Sequence, residues 1–299
     1  MESGDFQAWV EAVLGGTPFA AEIASATPLL AGGAPAHGVF AITRAGRRFV
    51  VKVRDRSEAH LLSSLAVVRS ANDTQGFLNP IVQVLEPDGW IVVITPYVAG
   101  DPIHPKFRHE LPRLFRTLAR FNLENRSSGP FTSMYLDAQL FDSADALVLA
   151  EIASHLAAFD YGPIADRVVD TLRPLRSSLQ CIVCEDTNLG NFVRTPEGRF
   201  VMVDTEWTHA GIGAYQFDHF DYFRFDEPAW YRIVAEARDC YRGYFTELGL
   251  ADTAAESMIR AIEALSVLRS VTHAMFHDNE PKACRLAKRL ARVLSHDRF

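Results

Sequence analysis

The most informative stretch of the sequence reads Cys184-Glu185-Asp186-Thr187-Asn188-Leu189-Gly190-Asn191. Thirteen residues after Asn191 comes Asp204, within Val201-Met202-Val203-Asp204-Thr205-Glu206-Trp207. An aspartate, an asparagine five residues later and a second aspartate after the next hairpin strand are the groups that phosphoryl transfer from a nucleotide requires. The first aspartate takes the proton of the attacking hydroxyl, and the other two residues hold Mg²⁺ through oxygen. Because Asp, Asn and Gly also favour turns, an ordinary surface loop is the alternative for this stretch alone.

The upstream half of the sequence contributes a lysine inside an apolar run, Val50-Val51-Lys52-Val53. A lysine in the middle of a strand is uncommon unless its charge has a partner or a ligand. Lys52 fits the lysine that contacts nucleotide phosphates, and Glu58, on the helix predicted to follow, fits its ion-pair partner. A solvent-facing lysine on an edge strand is the alternative for Lys52 alone. The combination favours a nucleotide-dependent phosphotransferase, with four residues in this order: Lys52, Asp186, Asn191 and Asp204.

Two different patterns divide the chain. Up to about residue 96, short β-branched and aromatic runs alternate with glycine turns, which is typical of an antiparallel meander. Beyond the segment 96–102, apolar residues recur at helical spacing, first at Leu111, Leu114, Phe115, Leu118 and Phe121. Further helices are predicted over residues 144–158, 164–172, 227–248, 254–276 and 281–294. The sequence therefore predicts an α+β protein with a small, antiparallel β-rich N-lobe, residues 1–96, and a larger, mainly helical C-lobe, residues 97–299.

These motifs resemble those of the aminoglycoside phosphotransferase/choline kinase family. That family's catalytic loop commonly reads His-x-Asp-x-x-x-x-Asn, and its metal-binding segment commonly reads Ile-Asp-Trp/Phe-Glu. The matching stretches here are residues 184–191 and 203–207, and the order of elements matches over about residues 29–223. Cys184 and Glu185 depart from the pattern, since the family has a histidine and a small residue there. The resemblance implies a protein-kinase-like two-lobe fold.

The resemblance also implies roles for individual residues. Asp186 would be the catalytic base, Asn191 and Asp204 would bind Mg²⁺, and Lys52 would contact the α- and β-phosphates of ATP. Asp218 resembles the family's later aspartate, which braces the catalytic loop. The remaining nucleotide contacts are expected at the hinge backbone and at the glycine turn of the N-lobe, from Thr95, Tyr97, Val98 and Gly33.

Residues 215–231 interleave aromatic rings and carboxylates, a composition that suits a cationic ligand. Since the resemblance places the acceptor pocket in this region, we expect Asp221, Asp226 and Trp230 to bind the acceptor. Packing of the rings in the core and solvation of the acids are the alternative for this segment.

The sequence thus predicts an ATP-dependent kinase that phosphorylates a hydroxyl of a small, amine-bearing molecule, choline-like or aminoglycoside-like. The alternative for the whole chain is a catalytically weak or inactive module that binds a nucleotide or a protein. The departures at Cys184 and Glu185 favour that alternative, and the presence of every residue expected to touch phosphate, metal or proton favours the kinase.

Composition and charge exclude other classes. The chain has 299 residues and a net charge of −7, which argues against a nucleic-acid binder that uses bulk positive charge. An acidic N-terminus, no long apolar stretch and only four cysteines predict a cytoplasmic protein without a membrane partner. The sequence leaves the oligomeric state open.

Two further features invite a functional interpretation. Cys181 and Cys184 have the spacing of a metal or redox pair, but no second pair is near in sequence. We expect them to be buried strand cysteines. His209 follows Asp204 closely, and we expect it to be a loop histidine without a function.

Overall fold

The structure is a computed structural model that describes residues 23–28, 38–87, 89–103, 107–159, 164–217 and 227–295, together with residues 12, 14, 15 and 17. Within these ranges the chain forms ten β-strands and seven α-helices. The predicted α+β architecture, with a β-rich N-lobe and a mainly helical C-lobe, is confirmed. The boundary between the lobes at residue 96 stays a prediction. No helix in the described ranges is long and apolar enough to cross a membrane.

Five antiparallel strands form the N-lobe sheet, in the order β1-β2-β3-β5-β4. Their bounds are β1 Ile23–Pro28, β2 Val39–Arg44, β3 Arg47–Asp55, β4 Gln83–Leu85 and β5 Trp90–Pro96. Ala45 and Gly46 form the two-residue turn between β2 and β3, with φ of 48° and 73°. Two positive φ values give a turn whose twist matches that of the flanking strands, so Gly46 is needed where it stands.

The two faces of this sheet have different neighbours. One face buries an apolar cluster that includes Phe40 and Val51. The other face is covered by helix α1 (Ala59–Ser70), and the side chains in contact are Leu61, Leu65, Ile91 and Val93. Lys52 lies opposite Val93 in the β3–β5 register. Since directly opposed residues share a face, Lys52 lies on the α1 side of the sheet and not in the apolar cluster.

The C-lobe is built around one long buried helix. Its helices are α2 Leu111–Glu124, α3 Ala144–Leu156, α4 Ile164–Leu172, α5 Glu227–Glu247, α6 Asp252–Phe276 and α7 Glu280–Ser295. Most residues of α6 are buried, and α6 packs against α3, α4, α5 and α7. The apolar residues read at helical spacing along α2 are all buried, which confirms that helix and its inward face.

Two small antiparallel pairs lie between α4 and α5 in the chain. Their strands are β7 Gln180–Cys184 with β10 Thr208–Ile212, and β8 Phe192–Arg194 with β9 Phe200–Met202, the latter extended by β6 Asp101–Pro102. The loop 185–191 connects β7 to β8, and the loop 203–207 connects β9 to β10. Each motif segment therefore begins where a paired strand ends, which fixes its starting point. Strand β10 is not predicted by the sequence.

Candidate active site

Lys52 belongs to a group of charged side chains that joins the two lobes. Its Nζ lies 2.8 Å from Oδ1 of Asp204 and 3.5 Å from Oε1 of Glu206. Arg54, two residues further along β3, donates from Nε to Oε2 of Glu206 at 2.9 Å. The side chains of Lys52 and Glu206 are only 10% and 12% exposed, so solvent screens the ion pair between these two residues weakly. Two basic residues of the N-lobe thus meet two carboxylates of the C-lobe.

The prediction of an ion pair between Lys52 and Glu58 is wrong. The structure pairs Lys52 with Asp204 and Glu206, and Glu58 is the N-cap residue of α1. Strand β3 continues for three residues beyond Lys52, a rise of about 10 Å, before the chain turns into the helix. Glu58 is therefore carried past the lysine. Glu206, more than 150 residues away in sequence, supplies the second carboxylate.

Asp186 and Asn191 are joined by direct hydrogen bonds. Nδ2 of Asn191 donates to Oδ2 of Asp186 at 3.1 Å and to the backbone carbonyl of Asp186 at 3.2 Å. A 3₁₀ turn at Leu189–Asn191 is capped by Asn188, whose side chain accepts from the N–H of Gly190 at 3.0 Å. This turn brings Asn191 back to Asp186, so the spacing read in the sequence places the two side chains in contact.

Residues of the same loop alternate between the interior of the C-lobe and its surface. Glu185 and Thr187 are 0% and 6% exposed, whereas Asp186 is half-buried and Asn188 is exposed. The hydroxyl of Thr187 donates to the backbone carbonyl of Gln216. Successive residues of an extended chain point to opposite sides, so inward anchoring of alternate residues turns the Asp186 carboxylate outward.

The residues predicted to hold Mg²⁺ lie on two loops that are hydrogen-bonded to each other. The N–H of Val203, next to Asp204, donates to the backbone carbonyl of Asn191 at 2.8 Å. The side-chain nitrogen of Asn191 donates to Asp186, so the side-chain oxygen of Asn191, Oδ1, is left for a cation. Mg²⁺ in nucleotide sites takes one or two protein oxygens and completes its shell with water and phosphate. The donor set fits that ion, and the described ranges hold no cluster of three or more His, Cys, Asp or Glu residues suited to a metal.

A second contact between the lobes is a pair of stacked rings. His60, in the first turn of α1, stacks on Trp207 with ring centroids 4.0 Å apart and planes 15° apart. Helix α1 also packs along β10. Since Trp207 directly follows Glu206, α1 contacts the same loop that pairs with Lys52. Stacking, rather than an ion pair, therefore links this helix to the charged group.

The connection between the lobes begins at the end of β5. Thr95 is buried and lies opposite Val50 in the sheet. The N–H of Tyr97 donates to the backbone carbonyl of Arg48 at 3.1 Å, and the Arg48 guanidinium lies 3.9 Å from the centre of the Tyr97 ring. That N–H is therefore used in the N-lobe and is not available to a nucleobase.

Beneath the Asp186 loop lies a group of buried polar side chains that we call the ionic cluster. Its members, each 8% exposed or less, are Ser133, Glu151 on α3, Glu185, His209 on β10 and Arg269 on α6. Nη2 of Arg269 lies 2.9 Å from Oε2 of Glu151 and 3.5 Å from Oε1 of Glu185. Nε2 of His209 lies 3.0 Å from Oε2 of Glu185. The expectation that His209 is a loop residue is therefore wrong, because it lies on β10, which the sequence does not reveal; the expectation that it has no function stays a prediction.

Burial and charge set the protonation of two members of the cluster. Burial, assisted by the nearby charge of His60, lowers the pKa of His209 to about 4, so its ring is neutral at pH 7. Burial acts to raise the pKa of Glu151, but the Arg269 charge and hydrogen bonds from His155 and Ser133 outweigh it and lower the value to about 2. The guanidinium of Arg269 is consequently the cation that faces both glutamates.

Cys181 and Cys184 are buried on β7, as predicted, and all four cysteines of the chain are free. Burial raises the pKa of Cys184 to about 12, and the Thr208 hydroxyl donates to its Sγ at 3.5 Å. A neutral, buried thiol therefore stands where the motif that the sequence resembles has a histidine.

One of the four thiols is expected to react in the native protein. Cys284 is exposed, whereas burial raises the pKa of Cys181, Cys184 and Cys240, and the thiolate is the reactive form. Titration with a chromogenic disulfide at pH 8 should count one fast thiol per native chain and four after denaturation. Cys284→Ser should abolish the fast reaction. Two fast thiols in the native protein would contradict the burial of the pair on β7.

Five predicted residues lie outside the part of the chain whose side chains are described. Gly33, Asp218, Asp221 and Asp226 fall between the described ranges, and the side chain of Trp230, on α5, is not described. Their roles in binding phosphate, bracing the loop and binding the acceptor stay predictions.

The chain has a protein-kinase-like two-lobe fold. Lys52 joins the β-rich lobe to the helical lobe, next to the loops that carry Asp186, Asn191 and Asp204. The solved structures similar to this chain include aminoglycoside phosphotransferases, and the resemblance predicted from the motifs is confirmed at the level of the fold. No family model matches the chain, and no curated protein matches its sequence significantly.

Four of these structures, from three proteins, show how far the similarity extends. APH(4)-Ia is 15% identical, with 98% of this chain and 100% of that chain covered and a TM-score of 0.64. A thermostable mutant of it, in ternary complex with AMP-PNP and hygromycin B, is 16% identical over 91% and 94% of the chains, with a TM-score of 0.62. An aminoglycoside phosphotransferase from Alicyclobacillus acidocaldarius is 16% identical over 92% and 91%, with a TM-score of 0.55. Aminoglycoside 2'-phosphotransferase-IIIa, in a GDP complex, is 11% identical over 100% of both chains, with a TM-score of 0.57.

Proposed function

We propose that this chain is a kinase that transfers the γ-phosphoryl group of ATP to a hydroxyl of a small, amine-bearing molecule. The observation that carries the proposal is the 2.8 Å ion pair between Lys52 and Asp204, which brings the N-lobe lysine to the loop next to Asp186 and Asn191. The nucleotide complexes of the structural neighbours support a nucleotide donor.

In this proposal the polar residues of the site have the following tasks. Lys52 binds the α- and β-phosphates, and Asn191 and Asp204 hold Mg²⁺, which neutralises charge on the β- and γ-phosphates when bound. Asp186 accepts the proton of the acceptor hydroxyl while the oxygen of that hydroxyl bonds to the γ-phosphorus. The bond from that phosphorus to the bridging oxygen of ADP breaks, so the products are the phosphorylated acceptor and ADP. The hinge donor to the base would be Val98, since the Tyr97 N–H is already bonded to Arg48.

The decisive assay is release of ADP by the full chain with Mg-ATP, screened over amino alcohols, aminoglycosides, nucleosides and neutral sugars. Stabilisation by Mg-ATP against heat would be expected of the kinase and of an inactive nucleotide-binding module alike. Turnover that requires Asp186 is expected only of the kinase. A chain that binds Mg-ATP but releases no ADP with any acceptor, or with water, would be the inactive module.

A cationic acceptor is expected to be preferred over a neutral one. Three carboxylates of the described site, those of Asp186, Asp204 and Glu206, face two cations there, Lys52 and Arg54, which leaves one net negative charge. Asp221 and Asp226 would add negative charge at the acceptor, so Asp221→Asn or Asp226→Asn should raise the acceptor KM and leave the ATP KM unchanged. Asp239→Asn, an exposed position on α5, is the matched control. A neutral sugar or nucleoside that is turned over far better than any cationic alcohol would overturn this choice of acceptor and leave the kinase standing.

Glu206→Gln is expected to weaken Mg-ATP binding. Glu206 is the carboxylate that contacts both Lys52 and Arg54, so its loss removes a charged partner of the Arg54 guanidinium and leaves Asp204 to hold Lys52. The measured effect should be a higher Mg-ATP KM, with a stability loss of about 1–3 kcal/mol for the weakened hydrogen bonds to a charged group. Glu58→Gln is the matched control and should change neither quantity. A larger effect from Glu58→Gln than from Glu206→Gln would restore the pairing predicted from the sequence.

A further inference from the structure

Both carboxylate oxygens of Glu185 are engaged in the ionic cluster. Oε2 accepts from the backbone N–H of Met134 at 2.8 Å, on the side where His209 approaches. Oε1 faces Arg269 at 3.5 Å and lies 3.3 Å from the hydroxyl of Ser133, which shares its one proton between Glu185 and the closer Glu151. A fully buried carboxylate is costly unless such donors surround it. The side chain is therefore fixed at both ends of its carboxylate.

The backbone of Glu185 is fixed as well. Its N–H donates to the carbonyl of Trp207 at 3.0 Å, which connects it to the loop that carries Asp204. On the other side of Asp186, the hydroxyl of Thr187 is bonded to Gln216. Asp186 thus stands between two anchored residues, and the anchor on its N-terminal side is ionic.

We propose that Glu185 is a positioning residue, whose carboxylate, held by Arg269, Ser133 and the Met134 N–H, aims the neighbouring Asp186 at the acceptor hydroxyl. This inference rests on the proposed function. Glu185 contacts neither nucleotide nor acceptor in this scheme, since it is 0% exposed. Glu185 departs from the motif that the sequence resembles, which has a small residue at this position. In this proposal that glutamate helps to hold the catalytic loop in place.

The chemistry explains why a carboxylate is required. Three of the groups around Glu185 are donors, namely an N–H, a hydroxyl and a guanidinium, and the neutral ring of His209 lies beside Oε2. A glutamine of the same shape would turn an NH₂ group toward one of these donors, so the hydrogen bond at that end of the side chain would be lost. Because displacement of a reacting group by about 1 Å can cost about 100-fold in rate, a small shift at residue 185 is enough to be measured.

The cluster also supplies a matched control. Glu151 is equally buried, accepts from the same Ser133 hydroxyl and pairs with the same Arg269. It lies on α3, far in sequence from Asp186. Glu151→Gln therefore removes one carboxylate from the same cluster without touching the residue next to the base.

The experiment compares Glu185→Gln and Glu151→Gln in the full chain by ADP release from Mg-ATP, by thermal melting and by hydrogen exchange of residues 184–191. Both variants should melt earlier by similar amounts. Only Glu185→Gln should lower kcat, by about 100-fold, with an unchanged Mg-ATP KM and faster exchange in the loop. If Glu185→Gln does not fold, Glu185→Asp and Glu151→Asp take their places, because they keep the charge and retract it by one methylene.

Two results would overturn the inference. One is a Glu185 variant that keeps its kcat although the unmodified chain is active. The other is an equal loss of kcat in the Glu151 variant, which would show that general stability and not positioning is at work. Failure of the proposed function is distinguished from both, because the unmodified chain would then release no ADP that depends on Asp186.

Discussion

Asp186→Asn is expected to lower the rate of phosphoryl transfer by about 10²–10⁴-fold, the usual contribution of a general base. The substitution keeps the shape of the side chain and removes the charge that takes the proton. The hydrogen bond from Nδ2 of Asn191 can still be accepted by the new amide oxygen, so the loop should keep its conformation. Nucleotide affinity should be nearly unchanged, because the charged group around Lys52 does not include Asp186.

Two measurements test this prediction: kcat by ADP release, and the affinity for AMP-PNP with Mg²⁺ by calorimetry. Asn188→Ala is a useful comparison, because Asn188 lies in the same loop, is exposed and caps only the 3₁₀ turn. It should cost far less turnover than Asp186→Asn. If Asp186→Asn retains turnover within a few-fold, Asp186 is not the base and the assignment of the loop falls.

Short-range features of this protein could be predicted from its sequence. The Ala45-Gly46 turn, the strand around Lys52 and the buried face of α2 follow from patterns that span fewer than fifteen residues. The contact between Asp186 and Asn191 is of the same kind, because five residues and one 3₁₀ turn close it. Local periodicity and turn chemistry are sufficient for such elements.

Long-range pairs could not be predicted in the same way. The sequence predicts Glu58 as the partner of Lys52 because that acid is near in sequence, whereas the fold brings Glu206 across from the other lobe. Arg269 reaches Glu185 across 84 residues, and nothing in the pattern around either residue indicates the other. His209 was missed for a related reason, since β10 is defined by its pairing with β7 and not by its own composition.

A usable signal for the ionic cluster was nevertheless present. Glu185 directly follows an apolar strand and precedes Asp186. If Asp186 faces outward, the charged side chain of Glu185 has to point into the interior of the C-lobe. A buried glutamate requires donors, and this requirement predicts a basic partner on a core helix. Arg269, in the middle of the apolar helix α6, meets that description. Looking for charged residues that break the apolar pattern of core elements would therefore have found both ends of the pair.

Asp204→Ala is expected to abolish transfer and to make ATP binding independent of Mg²⁺. The substitution removes the charged oxygen ligand proposed for the metal and leaves Asn191 as a neutral one, which is too few protein oxygens to hold the ion against water. It also removes the 2.8 Å partner of Lys52, but Glu206 remains at 3.5 Å, so the lysine stays paired and the fold should persist. Calorimetry with ATP, in the presence of Mg²⁺ and in the presence of EDTA, measures the metal dependence directly.

Asp204→Asn separates the two tasks of this carboxylate, because the amide keeps an oxygen for the metal and loses the charge that pairs with Lys52. Its Mg-ATP affinity should therefore lie between those of the unmodified chain and Asp204→Ala. Thermal melting of all three proteins without nucleotide should show similar midpoints, since Asp204 is 30% exposed and ion pairs of that kind add little to stability. Equal ATP affinity of the unmodified chain with Mg²⁺ and with EDTA would contradict the metal site. A large loss of stability in Asp204→Ala would instead assign Asp204 to holding the lobes together.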